Sequence, residues 1–116
     1  MDRKERFLKL VAGIDLAKEE MVVTLGGLTP DLKKKKLATK NFKNTSKGFE
    51  SLMAWIRKQK VDPRRVIFQM EYTGVYYQNL ANYLFHNGYK VVVILPSIVN
   101  NYIKSLNQKR INDITF

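Results

Sequence analysis

Three acidic residues of this sequence stand where carboxylates could do chemistry. Asp15 lies in an apolar stretch that begins at Val11, Glu71 follows the apolar run 66–70, and Asp113 comes near the C-terminus. Mg²⁺ prefers carboxylate oxygens in octahedral geometry, and paired ions of this kind can activate water and stabilise the leaving oxygen in phosphodiester cleavage. If the three side chains converge, they are the metal ligands and catalytic residues of such a site.

Each of these carboxylates also has a structural interpretation. Asp15 could cap the turn after its strand or coordinate a cation, because an unpaired charge inside an apolar stretch is costly. Glu71 stands where the dipole of a following helix would favour a negative side chain. Asp113 lies close to the chain end, where residues fray. Spacing alone leaves the structural and the metal-binding interpretations open.

The composition excludes several other kinds of site. The 116 residues contain no cysteine and a single histidine, His86, so disulfides, thiolate zinc sites and a histidine metal cluster are excluded within this chain. The longest unbroken apolar run, residues 91–95, is five residues long, whereas a membrane span needs about 20. The first residues also lack the pattern of a signal peptide. We therefore expect an intracellular, cytoplasmic protein without a membrane partner.

The charge of the chain points to an anionic partner. Lys and Arg number 21 against 10 for Asp and Glu, a formal charge of +11. Nucleic acid is the commonest partner of so basic a domain, although excess lysine can also simply keep a small protein soluble. The candidate nucleic-acid-binding residues are cations that could contact phosphates and one tyrosine that could stack on unpaired bases: Lys33, Lys34, Lys35, Lys36, Lys40, Lys43, Lys109, Arg110 and Tyr72.

The elements that would position these residues can be predicted from the apolar pattern. Residues 8–16 and 21–25 are strand-like and predict a hairpin. Residues 26–31 have the Gly, Pro and Asp content of a loop, and residues 37–42 are typical of a third, exposed strand. Beyond them the pattern predicts a capped helix over 49–56, a buried strand over 66–70, a helix over 76–84 with Tyr76 on its inner side, a central or parallel strand over 91–95 and a helix after Pro96.

The predicted order is therefore β-β-β-α-β-α-β-α. This is an α/β arrangement in which helices flank a mixed sheet, and it is the order of a ribonuclease H-like core. In this arrangement Asp15 and Glu71 fall at the ends of strands, which is where α/β proteins build their sites.

Three blocks of the sequence, in this order and spacing, resemble one family. They are Gly13-Ile14-Asp15-Leu16-Ala17-Lys18, Asn44-Thr45-Ser46-Lys47-Gly48-Phe49 and Glu71-Tyr72-Thr73-Gly74-Val75-Tyr76. The family is the insertion-sequence "one-ten" transposases, which are DEDD recombinases with a RuvC-like N-terminal domain. Asn112-Asp113 continues the match, so the resemblance covers the chain from about Val11 to Asp113.

The resemblance implies that residues 1–116 form a single RuvC-like N-terminal transposase domain. Asp15, Glu71 and Asp113 match the first three acidic residues of the DEDD set. The implied activity is cleavage and transfer of DNA strands with Mg²⁺ or Mn²⁺ as cofactor. The implied partners are DNA, a structured guide RNA and a second copy of the chain, in the cytoplasm of a prokaryotic cell and at its nucleoid when DNA is bound.

The chain departs from the family pattern near its C-terminus. Phe116 occupies the fourth acidic position and cannot ligate a metal, and Ile111 stands where a basic residue is usual. The family's C-terminal, serine-bearing domain is absent from these residues, so we expect a truncated domain that binds metal weakly and is inactive alone. The alternative is a non-catalytic nucleic-acid-binding or dimerisation module. An actin-like kinase or ATPase shares this core, but its second lobe would not fit in 116 residues.

Overall fold

One mixed sheet organises the part of the chain that the computed structural model describes, residues 7–71 and 76–94. Its elements, in chain order, are β1 Lys9–Leu16, β2 Glu20–Leu28, β3 Lys34–Lys43, α1 Ser46–Lys58, a 3₁₀ turn at Pro63–Arg65, β4 Val66–Glu71, α2 Gln78–His86 and β5 Lys90–Ile94. This confirms the predicted order as far as the fifth strand. The helix predicted after Pro96 lies outside the described residues.

The strands follow the spatial order β3-β2-β1-β4-β5. The first three strands are antiparallel, β4 is parallel to β1, and β5 is parallel to β4. The strand predicted over 91–95 is therefore parallel, but it lies at the edge of the described sheet and not at its centre. Val92 and Val93 are each 39% exposed there.

The core lies between one face of the sheet and both helices. Residues alternate across a strand, and one set is buried in each strand, for example Ala12 in β1, Val23 in β2 and Phe68 in β4. Helix α1 adds the apolar stripe that its helical spacing predicts, and α2 adds Leu80 and Leu84. All of these side chains belong to one cluster. The sheet therefore has a helix-covered face and, within the described ranges, an open face.

The helix ends have identifiable causes. Helix α1 begins after Thr45, whose hydroxyl accepts a 3.1 Å hydrogen bond from the Gly48 N–H, as expected for an N-cap. Helix α2 ends at the predicted Asn87-Gly88 stop, where Gly88 adopts φ 78°. The two helices touch through the rings of Phe49 and Tyr83, whose centroids are 5.3 Å apart. Partial burial, with Tyr89 and Glu50 nearby, raises the pKa of Tyr83.

The predicted loop over 26–31 is wrong in its first half. Gly26 and Gly27 belong to β2 and pair with Lys36 and Lys35 of β3, after a register shift that follows Leu25. A Cβ on Gly26 would lie 2.9 Å from the Lys35 carbonyl oxygen, so glycine permits this close approach of the strands. Both strands are therefore longer than predicted, and three residues of the lysine run 33–36, Lys34, Lys35 and Lys36, belong to β3.

The predicted position of Tyr76 in the core is also wrong. Helix α2 begins at Gln78, so Tyr76 precedes it and is 43% exposed. Tyr77 is half-buried against the core. The helical spacing of Tyr76 with Leu80 and Leu84 is real, but the helix starts two residues later than the spacing alone indicates.

Candidate metal site and nucleic-acid surface

The pairing of β1 with β4 places Asp15 beside Glu71. The two strands are parallel, with Ile14 opposite Met70 as the last pair in register, and the next residue of each strand is one of the two acids. Neighbouring strands lie about 4.8 Å apart, and residues in register point to the same face. Since Ile14 and Met70 are buried on the helix-covered face, Asp15 and Glu71 share the open face.

Both carboxylates differ in detail from the expectations. Asp15 is exposed and not buried in its apolar stretch, so no desolvation penalty forces it to find a partner. Glu71 is half-buried and is the last residue of β4. It therefore lies outside the first turn of α2, and the helix-dipole interpretation does not apply to it.

We call this end of the sheet the carboxylate end. Strands β1 and β4 finish there, β2 starts there with Glu20, and β3 finishes there with Lys43. The ammonium group of Lys43 lies 3.8 Å from the Glu20 carboxylate, an exposed ion pair worth little in stability. Short acidic side chains on hydrogen-bonded strands are well placed to hold a cation at a fixed position.

Asn44 joins the segments that follow the two acids. Its side-chain amide donates hydrogen bonds to the carbonyl of Ala17, at 3.0 Å, and to that of Tyr76, at 3.2 Å. Ala17 comes two residues after Asp15, and Tyr76 five after Glu71. The backbone N–H of Asn44 also donates to the Glu19 carbonyl at 2.9 Å. Asn44 therefore positions both acid-bearing strand ends, whereas the sequence pattern suggested only helix capping.

The backbone that precedes Asn44 is held in turn by close packing at Gly48. A Cβ on Gly48 would lie 1.8 Å from the carbonyl oxygen of Lys43, so only glycine lets the first turn of α1 approach the end of β3 this closely. The second sequence block therefore has a structural reason: Thr45 starts the helix, Gly48 permits the approach, and Asn44 spans the carboxylate end.

The donor set suits a hard cation. Mg²⁺ and Mn²⁺ favour oxygen ligands, and Mg²⁺ is usually held by one or two carboxylates together with waters. Asp15 and Glu71 supply two such groups. Among residues 7–71 and 76–94, no group of three or more His, Cys, Asp or Glu side chains comes together. The third predicted ligand, Asp113, lies outside the described residues.

The predicted nucleic-acid-binding lysines follow the edge strand β3 along its whole length. Lys34, Lys35 and Lys36 lie at its start, far from the carboxylate end, whereas Lys40 and Lys43 lie in the half that approaches the acids. All are exposed. Lys33 precedes the strand in a turn closed by the Thr29 N–H, which donates to the Lys33 carbonyl at 2.9 Å. Tyr72, Lys109 and Arg110 lie outside the described residues.

An open groove of about 660 Å³ lies on the open face and runs from the far end of the sheet as far as Gly13 and Gln69. Gly13 and Gln69, two residues before Asp15 and Glu71, line it near the acids, and Lys9 and Lys34 line it at the far end. A Cβ on Gly13 would meet nothing within 4 Å, so the space above β1 is open there. Sequence reasoning missed Lys9 because an isolated cation at a strand start carries no local signal.

A family model described as a transposase, that of the DEDD insertion-sequence "one-ten" type, matches residues 12–114. The chain belongs to this DEDD transposase family. Two relatives are pilin gene-inverting proteins from Moraxella bovis and Moraxella lacunata, each 31% identical over 65 residues. That match covers 56% of this chain and 20% of the relative, so this DEDD transposase chain spans about a fifth of the length of those proteins.

Solved structures similar to this DEDD transposase chain share its fold. The Fowlpox virus resolvase in complex with Holliday junction DNA has a TM-score of 0.52 at 14% identity, over 76% of this chain and 61% of that one. The Thermus thermophilus RuvC protein with a Holliday junction substrate has a TM-score of 0.50 at 16% identity, over 79% and 69%. These likenesses confirm the RuvC-like, ribonuclease H-like fold. No helix of the described residues is long and apolar enough to cross a membrane.

Proposed function

We propose that this chain is the metal-binding and nucleic-acid-binding part of a DNA recombinase. In the intact protein it would take part in Mg²⁺-dependent cleavage and transfer of DNA strands. The observation that carries the proposal is the placement of Asp15 and Glu71 side by side on the open face, at the carboxyl ends of two parallel strands. Family membership supports it independently.

The residues of this chain would hold the cation and keep it in place. Asp15 and Glu71 supply carboxylate oxygens from adjacent strands, and Asn44 fixes the segments that follow them. Asp113 is the expected third ligand. When bound, a divalent ion would polarise a phosphodiester and lower the pKa of a water molecule. With Phe116 at the fourth acidic position, we expect weak metal binding and no strand transfer by this chain alone.

The partners follow from the same proposal. DNA is the proposed substrate, with the exposed lysines of β3 contacting phosphates. A structured guide RNA and a homodimer remain predictions from the family resemblance, as does action at the nucleoid in the cytoplasm of a prokaryotic cell. The Fowlpox and Thermus resolvases with Holliday junction DNA make branched DNA a sensible probe for this chain.

Paramagnetic Mn²⁺ tests the metal site directly. In an amide NMR titration, we expect selective broadening at residues 14–16 and 70–71, and none at 34–36 on the far side of the sheet. The double variant Asp15→Asn, Glu71→Gln should lose this broadening. Glu19→Gln is the matched control, because Glu19 is an exposed acid at the same end. Uniform broadening, or broadening unchanged in the double variant, would contradict the proposed site.

A non-catalytic nucleic-acid-binding module is the second candidate. It is favoured by Phe116 at the fourth acidic position and by the two-carboxylate cluster in the described part of the chain. The same titration separates the two functions. If Mn²⁺ leaves residues 14–16 and 70–71 unaffected while the protein still binds DNA, the module is the correct description.

A further inference from the structure

We propose that the end of the sheet opposite Asp15 and Glu71 is a second nucleic-acid site, which holds the phosphate backbone of a duplex without metal. We call it the basic end: it is the end of the sheet at which β1, β4 and β5 begin. The inference rests on the proposed function only in taking nucleic acid as the partner. Seven of its cations were not among the residues that the sequence pattern singled out: Lys9, Arg57, Lys58, Lys60, Arg64, Arg65 and Lys90.

Strand pairing and side-chain contacts bring these separate segments together. Lys9 pairs with Leu28, which pairs with Lys34, so the lysine run of β3 starts beside the start of β1. Lys90 of β5 pairs with Ile67 of β4. The last turn of α1 contacts the 3₁₀ turn that leads into β4. Lysines and arginines from five parts of the chain therefore meet at one end.

Two arginines show how this end is held together. The guanidinium of Arg64 donates to the Asn87 carbonyl at 3.4 Å and lies 5.2 Å from the centre of the Tyr89 ring. Arg65 donates to the Phe7 carbonyl at 3.3 Å. These contacts link the 3₁₀ turn to the starts of β1 and β5. The two carbonyls and the Tyr89 ring are neutral groups, so these contacts orient the guanidinium groups at this end.

Charge is distributed very unequally between the two ends. The basic end carries eleven cationic side chains among the described residues: Lys9, Lys33, Lys34, Lys35, Lys36, Arg57, Lys58, Lys60, Arg64, Arg65 and Lys90. Its two acids have partners close by in sequence. The Asp31 carboxylate forms a 4.0 Å ion pair with the Lys33 ammonium group, and the Asp62 carboxylate accepts a 2.9 Å hydrogen bond from the Arg64 backbone N–H. The other half has five acids and four cations: Asp15, Glu19, Glu20, Glu50, Glu71, Lys18, Lys40, Lys43 and Lys47. All of the net positive charge of the described residues therefore lies away from the proposed metal site.

Protection of a sheet edge explains only part of this pattern. Lysines on an edge strand discourage pairing with another chain, which would account for those of β3. It does not account for Lys58 at the end of α1, Lys60 after that helix or Arg64 in the 3₁₀ turn, because all three lie outside the strands. Concentrated positive charge of this kind is the electrostatic footprint of a nucleic-acid site.

The distance between the ends makes the two sites separate. Lys9 and Asp15 lie six residues apart on β1, which is about 20 Å at 3.3 Å per residue. In duplex DNA each strand rises about 3.4 Å per phosphate. A phosphate bound at the basic end therefore lies about six base pairs from a phosphate bound at Asp15, or belongs to another nucleic-acid molecule. In either case, binding of nucleic acid at the basic end should not need the metal.

A duplex fits the basic end better than a single strand does. Sites for single strands combine cations with aromatic rings on which bases stack. The half-buried Tyr89 ring is already contacted by Arg64 and by the Phe68 ring, at 5.9 Å between centroids. Exposed lysines spread over several turns suit the regularly spaced phosphates of a duplex. DNA and RNA duplexes share this chemistry.

Two double variants with equal loss of charge test the proposal. Lys60→Gln, Lys90→Gln removes two exposed cations from the basic end, and Lys18→Gln, Lys47→Gln removes two exposed cations from the other half that the proposed function does not use. Binding of labelled duplex DNA, duplex RNA and single-stranded DNA is measured by fluorescence anisotropy in EDTA, at salt between about 50 and 200 mM. Circular dichroism verifies that each variant is folded.

We expect the basic-end variant to bind duplex about tenfold more weakly, with a salt slope reduced by about 2. The control variant should bind within about twofold of the unmodified chain. Preference for either duplex over single strands supports the proposal, and the two duplex arms identify which backbone is bound. Equal losses in both variants, a larger loss in the control, or preference for single strands would overturn it. Because EDTA removes metal, failure of the Asp15–Glu71 site cannot produce any of these results.

Discussion

The two ends of one sheet are built on opposite physical principles. At the carboxylate end, short acidic side chains sit on paired strands, and Asn44 and Gly48 fix the surrounding backbone by hydrogen bonds and close contact. At the basic end, long exposed cations project from turns and from the starts of strands. The first arrangement suits a function that needs atoms at defined positions. The second suits one that needs charge at an approximate distance.

The comparison predicts that the two ends differ in how well the fold tolerates substitutions. Close-packed backbone cannot absorb extra atoms without shifting, so single substitutions at the carboxylate end should cost stability. Exposed cations contribute little to folding, so single substitutions at the basic end should change binding and leave stability nearly intact. Four substitutions, taken from the largest expected effect to the smallest, test this difference.

Gly48→Ala should be the most damaging of the four. Its Cβ would fall 1.8 Å from the Lys43 carbonyl oxygen, so α1 or the end of β3 must move. We expect a loss of about 3 kcal/mol or more in the free energy of unfolding, at the upper end of overpacking costs, measured by urea denaturation. Gly13→Ala is the control: its Cβ meets nothing within 4 Å, and stability should change by less than about 1 kcal/mol. Equal effects would show that α1 does not pack against β3 in this way.

Asn44→Ala should be the next most damaging. It removes the donors to Ala17 and Tyr76 and leaves those two carbonyls without this partner, at a cost of about 1–3 kcal/mol. Amide signals near residues 17 and 76 should shift, and Mn²⁺ broadening at Asp15 should weaken because the strand ends are no longer tied. Asn41→Ala, at an exposed position of β3, should change stability by less than about 0.5 kcal/mol. Unchanged Mn²⁺ broadening in Asn44→Ala would show that Asn44 does not position the strand ends that carry Asp15 and Glu71.

Thr45→Ala should have a smaller effect confined to the start of α1. The hydroxyl that accepts from the Gly48 N–H is lost, and N-cap removal costs about 1 kcal/mol. Amide hydrogen exchange should accelerate in the first turn of α1 and not in α2. Ser46→Ala, one residue later and inside the helix, is the control and should leave exchange unchanged. Faster exchange in Ser46→Ala would show that Thr45 is not the residue that caps the helix.

The same contrast explains what the sequence could and could not predict. Local periodicity was sufficient for the element order and for Asp15 and Glu71 at strand ends, since both follow from patterns within a few residues. The register shift after Leu25, which converts Gly26 and Gly27 from loop to strand, depends on pairing with a distant strand. Tyr76 was misplaced because the helical spacing of apolar residues begins two residues before the helix itself does.

Neither Asn44 nor the basic end could be found from local patterns. The Asn44 bonds span 27 and 32 residues of sequence, and an asparagine before Thr-Ser is equally typical of a cap. The cations of the basic end come from segments as distant as Lys9, Lys60 and Lys90. Only the parallel pairing of β1, β4 and β5 makes them neighbours, and long-range strand pairing leaves no signal in a short window.

Lys60→Gly should have the smallest effect on folding and sharpens the comparison most directly. Lys60 follows α1 in the left-handed region, with φ 65°, and its N–H donates to the Arg57 carbonyl at 2.9 Å. Glycine adopts this conformation without strain, so stability should stay the same or rise by about 0.5–1 kcal/mol. Duplex affinity should nevertheless fall severalfold, since one phosphate contact is lost.

Lys47→Gly in the first turn of α1 is the opposite control: it should lower stability by up to about 1 kcal/mol and leave duplex affinity unchanged. If affinity followed stability in both variants, charge at the basic end would have no separate function, and the two ends of the sheet would not differ as argued.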